Sequence, residues 1–552
     1  MILSYEFVAG KAMEIVMSTP LTVTVITDTH YYSKKLGTSG EAYNIANNKS
    51  GVLLAEAAEM LEAAFTQIAK DDRTDIVLLS GDTTSNGDFD SHKEFTEMLR
   101  DLKSKGKRVY VLTATHDYQW DGVHHRYEGE ERVPIPAAKR EDLYDMYKEF
   151  GPDEALAVHL PSMSYIIQLQ DGYRLFALND DTNLNGKSGF SDELFDWIKE
   201  QIADAKANNQ FIVAMTHHPL IAPSPMYEII GRGDMMGDYD IRREQLADLG
   251  VQFMLTGHTH VHDIDKHVSP KGNYFYDIST ASTVGYPGTI RTIVFDKENN
   301  VVTTTTDLVI EPVKFNTKGK DLQTYLADHM IGMIRDVIKA AGDDIDKFAD
   351  MATAISIKKN VSYKIGWILK PIFKFINSLK IGTVGNWTRA ETGLKKEDYS
   401  DIKDKSVVDF IVDIVLNLFG GKNLYTPDSN EYKIAIGLIN IIDSIIKVLH
   451  IPLKKLVRVS DSIRGIIEPL LYNAGIPAYD AIIPIMPVYE GDEVGPQPEP
   501  APKVTTVKDS KKGLPIVIIT ILLVLLLFFP ILLLLLIGYV KNQIKYGKYL
   551  KK

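Results

Sequence analysis

Five short apolar segments in the first half of the chain are each followed, within three residues, by aspartate or histidine. The segments are residues 21–27, 75–80, 108–113, 211–216 and 251–256. They are rich in aliphatic and β-branched residues and alternate with stretches of helical periodicity, a pattern typical of layered α/β folds. Because ligands in such folds bind beyond the carboxyl ends of the strands, we expect the polar residues that follow these segments to form one site.

The spacing of these polar residues suits metal binding. Asp28 and His30 lie two residues apart, so an extended chain directs both side chains to the same side. His258 and His260 repeat this spacing. A glycine precedes Asp82 and another precedes His258, which allows the backbone to turn sharply at the strand end. Each cluster therefore presents its ligand groups at the tip of a strand.

The available donor groups restrict which metals can bind. With His217 included, the clusters offer two carboxylates and four imidazoles, and the chain contains no cysteine. This set suits borderline divalent ions such as Mn, Fe, Zn or Co. Six ligands are more than one tetrahedral ion needs, so the simplest arrangement is two ions that share a carboxylate. Two ions about 3.5–4 Å apart produce a hydroxide at neutral pH and stabilise an in-line displacement at phosphorus.

Other polar residues near these clusters are given supporting or structural roles. We expect His218 to be structural or to orient a metal ligand, and Asp117 to cap or orient rather than to bind metal. His262 is expected in a solvated loop, with a position at the border of the pocket as the alternative, and His92 at an exposed helix or loop position.

The ordered series of motifs identifies a family. The motifs are Thr-Asp-Thr-His (27–30), Ser-Gly-Asp-Thr-Thr-Ser-Asn-Gly (80–87), Thr-His-Asp (115–117), His-His-Pro-Leu (217–220) and Gly-His-Thr-His (257–260). In this order they resemble the calcineurin-like metallophosphoesterase family, most closely its bacterial members that are similar to cyclic-nucleotide phosphodiesterases. The resemblance spans residues 18–310. It implies an α/β fold, a four-layer sandwich in which two β-sheets are flanked by helices.

The resemblance also implies how the ligands are divided between two metal ions. The first ion would be held by Asp28, His30, Asp82 and His260. The second ion would share Asp82 and add His217 and His258.

The motif at residues 115–117 departs from the family pattern. Its histidine, His116, is implied to protonate the leaving-group oxygen or to stabilise the transition state. The family has an asparagine immediately before this histidine, which binds the second metal, and here that residue is Thr115. We keep Thr115 among the expected ligands. Because its hydroxyl is shorter and a weaker donor, the second ion is expected to bind loosely, to be completed by water, or to differ in identity.

These observations predict a metal-dependent phosphoesterase. A hydroxide that bridges two divalent metals would attack a small phosphate ester, and His116 would assist the leaving group. A phosphodiester substrate is favoured by the resemblance alone. The alternative is a non-catalytic, membrane-anchored binding or scaffold protein with a degenerate metal site. The formal net charge of −12 argues against nucleic acid as a partner, and no sequence feature indicates an oligomeric state.

The second half of the chain has helical periodicity and few predicted strands, unlike the first half. We divide the sequence into a phosphoesterase domain (1–310), a helical domain (321–485) whose apolar stripes recur at three- and four-residue steps, a Pro-rich linker (490–513), an apolar segment (514–540) and a Lys-rich tail (541–552). The helical domain carries no recognisable chemistry. It would restrict access to the site or join protomers.

The apolar segment predicts attachment to a lipid bilayer. Residues 514–540 contain no charged side chain and, as a helix, would extend about 40 Å, enough to cross a bilayer core of about 30 Å with tilt. The tail that follows carries five lysines and no acid, which places it in the cytoplasm and the catalytic domain outside. Residues 1–20 contain no signal-peptide pattern, so a cytosolic catalytic domain is the alternative.

Overall fold

The computed structural model describes residues 5–8, 11–14, 19–48, 50–181, 188–354, 359–448, 450, 453–454, 460–491, 493 and 495. The predicted membrane helix (514–540), the Lys-rich tail and nearly all of the predicted linker lie outside these residues. Within them, no helix combines the length and apolarity that crossing a bilayer requires. The membrane anchor and its orientation stay predictions, which protease accessibility on intact cells would test.

The described strands fall into two large sheets and two hairpins. In chain order the strands are β1 (Tyr5–Val8), β2 (Lys11–Glu14), β3 (Leu21–Ile26), β4 (Ile76–Ser80), β5 (Arg108–Leu112), β6 (Val123–Glu128), β7 (Glu131–Pro136), β8 (Ala157–His159), β9 (Ser164–Gln170), β10 (Tyr173–Ala177), β11 (Phe211–Met215), β12 (Phe253–Thr256), β13 (Asp263–Val268), β14 (Tyr274–Ser279), β15 (Thr289–Asp296), β16 (Val301–Leu308) and β17 (Ala481–Pro484).

Parallel strands form the centre of each sheet. Among the described residues, one sheet has six strands in the order β17-β16-β15-β3-β4-β5, and β3, β4 and β5 run parallel. The other has seven strands in the order β13-β14-β12-β11-β10-β9-β8, with β10, β11, β12 and β14 parallel. Parallel pairing brings the carboxyl ends of neighbouring strands to one edge, which is where the polar clusters follow.

Helices cover the two sheets and build the second half of the chain. They are α1 (Glu41–Asn47), α2 (Ala57–Lys70), α3 (Phe89–Ser104), α4 (Leu143–Tyr147), α5 (Asp192–Ala207), α6 (Pro225–Ile230), α7 (Tyr239–Asp248), α8 (Leu322–Asp343), α9 (Ile345–Ala354), α10 (Lys359–Ser378), α11 (Ile381–Thr392), α12 (Val407–Gly420), α13 (Asn430–Val448) and α14 (Arg464–Leu471).

The side chains of the central strands are buried on both faces. In β4, Ile76 and Leu78 join an apolar cluster to which both sheets contribute, whereas Val77 and Leu79 pack with residues of the covering helices. Because side chains alternate along a strand, a strand buried in this way must be apolar throughout. The predicted α/β architecture with two sheets and helices is confirmed, as is a helical region in the second half.

The helical region joins the α/β part through a strand and a helix contact. The predicted helical domain (321–485) contains β17, which pairs antiparallel with β16 in the six-stranded sheet. Helix α14 contacts α6 of the α/β part. The strand was missed because four residues with one apolar face carry too little periodicity to separate a short strand from a helix end.

Candidate metal centre

The predicted ligands come together where strands of both sheets end. Asp28 follows β3, Asp82 follows β4, His217 follows β11 and His258 follows β12. Backbone hydrogen bonds fix the strand ends to one another: the N–H of Asp28 donates to the carbonyl of Gly81 at 3.1 Å within one sheet. The ligands therefore sit on segments that the sheets themselves position.

Three predicted ligands form the first group. One oxygen of Asp28 and the ring nitrogens of His30 and His260 lie within 4.8 Å of one another. Nε2 of His260 is 3.3 Å from Oδ1 of Asp28, and Nε2 of His30 is 3.7 Å from the same oxygen. The two Nε2 atoms are 3.0 Å apart. Three potential ligand atoms thus face one small volume.

Asp82, His217 and His258 form the second group, again with ligand atoms within 4.8 Å of one another. Nε2 of His217 is 3.0 Å from Oδ2 of Asp82 and 3.2 Å from Nδ1 of His258. Nδ1 of His217 donates to the carbonyl of Ser80 at 2.9 Å, because a carbonyl can only accept. This bond leaves the lone pair of Nε2 directed at the group when the ring is neutral.

The two groups are linked by Asp28. Its Oδ2 accepts a hydrogen bond of 2.9 Å from the backbone N–H of His258, a residue of the second group, and another of 2.8 Å from the hydroxyl of Thr27. Its Oδ1, in contrast, is buried and has no hydrogen-bond partner among the described residues. A buried carboxylate oxygen without a donor is costly, and a cation at that position would remove the cost.

The backbone at the site is unusual. Five predicted ligands adopt positive φ angles, between 38° and 64°: Asp28, His30, Asp82, His258 and His260. Non-glycine residues rarely occupy this region, at a cost of about 1–3 kcal/mol each, and such residues concentrate at functional sites. The surrounding fold therefore maintains conformations that direct these side chains into the two groups.

Two glycines allow the strand ends to approach closely. A Cβ atom on Gly81 would lie 2.4 Å from Nδ1 of His217. A Cβ atom on Gly257 would lie 2.2 Å from Oγ1 of Thr27 and 2.4 Å from Oδ2 of Asp28. Any larger residue at either position would displace a predicted ligand.

The electrostatics of the groups favour bound cations. Burial raises the pKa of Asp28, but the imidazoles of His260 and His30 outweigh it, so the pKa lies well below its ordinary value. The pKa of Asp82 is lowered in the same way, by His217 and His116 against burial. Both carboxyl groups therefore remain ionised in the interior.

The pKa values of the imidazoles are shifted in different directions. Burial lowers the pKa of His217, but Asp82 outweighs it and raises the pKa to about 10. Burial lowers the pKa of His30, and burial together with His218 and His217 lowers that of His258. Neutral His30 and His258 are ready to act as ligands, whereas His217 must lose a proton before it can bind a metal.

The donor set fits a pair of divalent ions. Each group supplies one carboxylate and two imidazoles, the mixture that borderline metals prefer in the absence of thiolates. The orphaned Oδ1 of Asp28 and the close approach of imidazole nitrogens in both groups are the features that a cation would satisfy.

His116 and Thr115 lie at the edge of the two groups. The backbone N–H of His116 donates to Oδ1 of Asp82 at 2.9 Å, and its ring lies edge-on to that of His30 with centroids 5.0 Å apart. Nδ1 of His116 donates to the carbonyl of Ser85 at 2.8 Å, so Nε2 is the nitrogen left for a substrate. Thr115 is exposed.

Sequence reasoning missed Asp180. Its Oδ2 accepts hydrogen bonds from Nδ1 of His218 at 2.8 Å and from the backbone N–H of His218 at 3.2 Å. The ring of His218 packs on that of His258 with centroids 4.0 Å apart. The pair therefore orients a residue of the second group, in line with the role expected for His218. Its position in the sequence could have indicated it, because Asp180 lies just after β10, as the predicted ligands lie just after their strands.

Asp117 organises the turn that carries His116. Its Oδ1 accepts from the hydroxyl of Thr83 at 2.6 Å and from the N–H of Thr84 at 2.7 Å, and its Oδ2 accepts from the N–H of Ala114 at 2.8 Å. These bonds join the segment after β4 to the segment after β5. The orienting role expected for Asp117 agrees with this geometry.

Two histidines are buried where exposure was expected, so those expectations were wrong. His262 is 0% exposed, and its ring nitrogens lie within hydrogen-bond distance of Arg291 and Thr306. His92 is 2% exposed and bridges Tyr147 and the carbonyl of Asp117. Both have polar partners from distant parts of the chain, which a local pattern cannot reveal.

Comparison with known proteins finds a family match within the α/β part. Residues 21–262 match the sequence profile of the family described as calcineurin-like phosphoesterase. No curated protein matches the chain.

Several solved structures are similar to part of the chain. A dimetal phosphatase from Danio rerio is 13% identical over 53% of this chain and 98% of its own, with a TM-score of 0.37. A purple acid phosphatase from seeds of yellow lupin (Lupinus luteus) is 12% identical over 54% of this chain and 53% of its own, with a TM-score of 0.35. The GAP50 anchor of the inner membrane complex of Plasmodium is 12% identical over 54% of this chain and 87% of its own, with a TM-score of 0.31.

Proposed function

We propose that the chain, whose residues 21–262 match the calcineurin-like phosphoesterase family, is a hydrolase of phosphate esters that cleaves small phosphodiesters with the help of two divalent metal ions. The family match supports metal-dependent hydrolysis. The choice of diesters rests on the resemblance of the motifs to bacterial members that are similar to cyclic-nucleotide phosphodiesterases. Mn, Fe, Zn and Co are the metals that the donor set fits.

The observation that carries the proposal is the pair of ligand groups. Asp28, His30 and His260 form one group, and Asp82, His217 and His258 form the other. When bound, two such ions would lower the pKa of a water molecule and neutralise charge on the phosphate oxygens. Asp82 supports both groups in this proposal, because its charge acts on His30 as well as on His217.

His116 is proposed to handle the proton of the leaving group. Its Nδ1 donates to the carbonyl of Ser85, which fixes the ring and leaves Nε2 on the exposed side of the groups. A protonated Nε2 can donate to the ester oxygen as the bond to phosphorus breaks. The hydrogen bond from the N–H of His116 to Asp82 holds this ring beside the proposed ligands.

The second candidate is a non-catalytic binding or scaffold protein with a degenerate metal site. The observation in its favour is Thr115, a weak donor at a position where the family has a ligand. Against it stands the complete set of carboxylates and imidazoles, all at positions that the motifs predict.

Turnover with and without metal separates the two candidates. The full chain should hydrolyse bis(p-nitrophenyl) phosphate in the presence of Mn²⁺, and excess chelator should abolish the reaction because the residues alone generate no strong nucleophile. Faster hydrolysis of p-nitrophenyl phosphate than of the diester would contradict the choice of substrate class. Two bound metal ions without turnover of either ester would favour the scaffold.

Restoring the family residue should strengthen the second metal site. Thr115→Asn is expected to raise affinity for the weaker-binding ion roughly tenfold, because the longer side chain brings an amide oxygen towards the second group. Calorimetric titration with Mn²⁺ measures both sites, and Thr38→Asn, a change at another exposed threonine, is the control. Unchanged stoichiometry and affinity in Thr115→Asn would show that this position takes no part in metal binding.

A further inference from the structure

A cavity of about 290 Å³ lies between the α/β part and the helical region. From the α/β part it is lined by the segment after β11 and by β13, and from the helical region by the end of α12 and the segment around α14. It shares no lining residue with the two ligand groups. Clefts of this size between structural units are common binding sites for small molecules.

The wall formed by β13 is acidic. Asp263 and Asp265 both line the cavity, and their spacing of two places them on one face of the strand. On the neighbouring strand β14, Asp277 stands directly opposite Asp265 in the antiparallel register. Like charges directly opposite one another destabilise a sheet, so this wall carries an electrostatic cost.

Asp263 accepts hydrogen bonds from the backbone N–H of Ile264 at 2.9 Å and from the amide of Asn473 at 3.3 Å and 3.4 Å, and the charge of Arg291 acts on it against the effect of burial. The carboxylate of Asp277 accepts hydrogen bonds from the backbone N–H groups of Leu220 and Ile221. Burial, together with Asp263 and Asp277, raises the pKa of Asp265 well above its ordinary value, and burial raises that of Asp263 to about 6. The wall therefore favours a proton or a cation supplied from outside.

A serine in the wall of the cavity gives an independent indication of a ligand. Ser224 lines the cavity, is 8% exposed, and its hydroxyl has no hydrogen-bond partner among the described residues. It precedes α6 but makes no side-chain cap bond there. A buried hydroxyl without a partner is costly, so its position suits a donor or acceptor that a ligand brings.

The other lining residues favour an organic cation over a metal ion. The carboxylates of this cavity are not among the groups of described residues whose ligand atoms converge within 4.8 Å, whereas the two groups at the metal centre are. Apolar side chains make up much of the remaining wall, including Ile221, Leu418 and Ile476. An aliphatic body can pack on these residues, and a charged head can reach the acidic strand.

We propose that this cavity binds a small aliphatic ammonium ion, with the charged nitrogen between Asp265 and Asp263, the Ser224 hydroxyl as a further partner, and the alkyl stem against the apolar wall. The ammonium group offers three donors, enough for both carboxylates and the hydroxyl. This proposal does not depend on the chemistry at the metal centre.

Calorimetric titration of the full chain with n-butylammonium chloride tests the proposal, with n-butanol as the uncharged analogue of the same length. Butylammonium should bind saturably at one site per chain, and butanol should bind far more weakly. Asp265→Asn should reduce the affinity roughly 10- to 100-fold, because it removes the charged partner of the ammonium. Glu193→Gln, which removes an exposed carboxylate elsewhere, should bind butylammonium as the unaltered chain does.

Ser224→Ala provides a second variant should Asp265→Asn fail to fold. It should lower the affinity for butylammonium by roughly 2- to 10-fold. Circular dichroism verifies the fold of both variants. Absence of saturable binding, equal binding of butanol, or full affinity in folded Asp265→Asn would each overturn the proposal. Binding of Ca²⁺ that depends on Asp265, with none of butylammonium, would overturn it in favour of a metal site.

Discussion

Replacing Asp82 by asparagine should lower turnover of a phosphate ester by at least about 10³-fold, equivalent to roughly 4 kcal/mol of transition-state stabilisation. Asp82 is 1% exposed; its Oδ1 accepts from the N–H of His116, and its Oδ2 lies 3.0 Å from Nε2 of His217. An amide provides only one accepting oxygen. The asparagine would therefore turn an NH₂ group towards one of these partners, and it would lose the charge that both metal positions need.

Metal content and turnover should fall together in this variant. Calorimetric titration with Mn²⁺ should show loss of at least one of two binding sites, and circular dichroism should show the fold retained. Asp72→Asn removes the same charge from an exposed position and should change turnover by no more than about twofold. Asp82→Asn with two bound ions and turnover within about tenfold of the unaltered chain would show that this carboxylate is not shared.

The proposed ligands could be selected from the sequence because each lies within a few residues of the end of a strand. Asp28 and His30, like His258 and His260, are close neighbours in the chain, so their spacing alone indicates a common direction. That the strand ends meet follows from parallel pairing within each sheet. The left-handed backbone of these residues could not be predicted, because non-glycine residues adopt it only when the surrounding fold imposes it.

Residues whose partners are distant in sequence were missed or misjudged. His262 is buried by Arg291, by Thr306 and by the end of α12, where its backbone N–H donates to the carbonyl of Phe419. None of these partners is visible in the pattern around residue 262. The cavity beside Asp263 was missed for the same reason, since half of its wall belongs to the helical region.

The α/β part and the helical region are therefore joined by buried hydrogen bonds. Arg291, on β15, is 0% exposed and donates to the carbonyls of Ala478 and Ser279. The bond to Ala478 attaches the segment before β17 to the α/β part. A buried guanidinium requires such partners, so this junction is a fixed element of the fold.

Substituting alanine for glycine should have opposite effects at two positions. Gly257→Ala is expected to destabilise the chain by about 2–4 kcal/mol, because the new Cβ would lie 2.2 Å from Oγ1 of Thr27 and 2.4 Å from Oδ2 of Asp28, both on fully buried residues. Gly332→Ala, on an exposed face of α8, meets no atom within 4 Å and should stabilise by about 0.5–1 kcal/mol.

Urea unfolding monitored by circular dichroism measures both effects, and metal titration separates strain from a simple loss of stability. Gly257→Ala must displace Asp28 to relieve the overlap, so its affinity for Mn²⁺ should fall even at low urea, where the variant is folded. Gly332→Ala should bind Mn²⁺ as the unaltered chain does, because residue 332 is distant in sequence from every proposed ligand and lies in the helical region. Should Gly257→Ala retain both its stability and its Mn²⁺ affinity, the close packing of Gly257 against Asp28 would not be what positions that carboxylate.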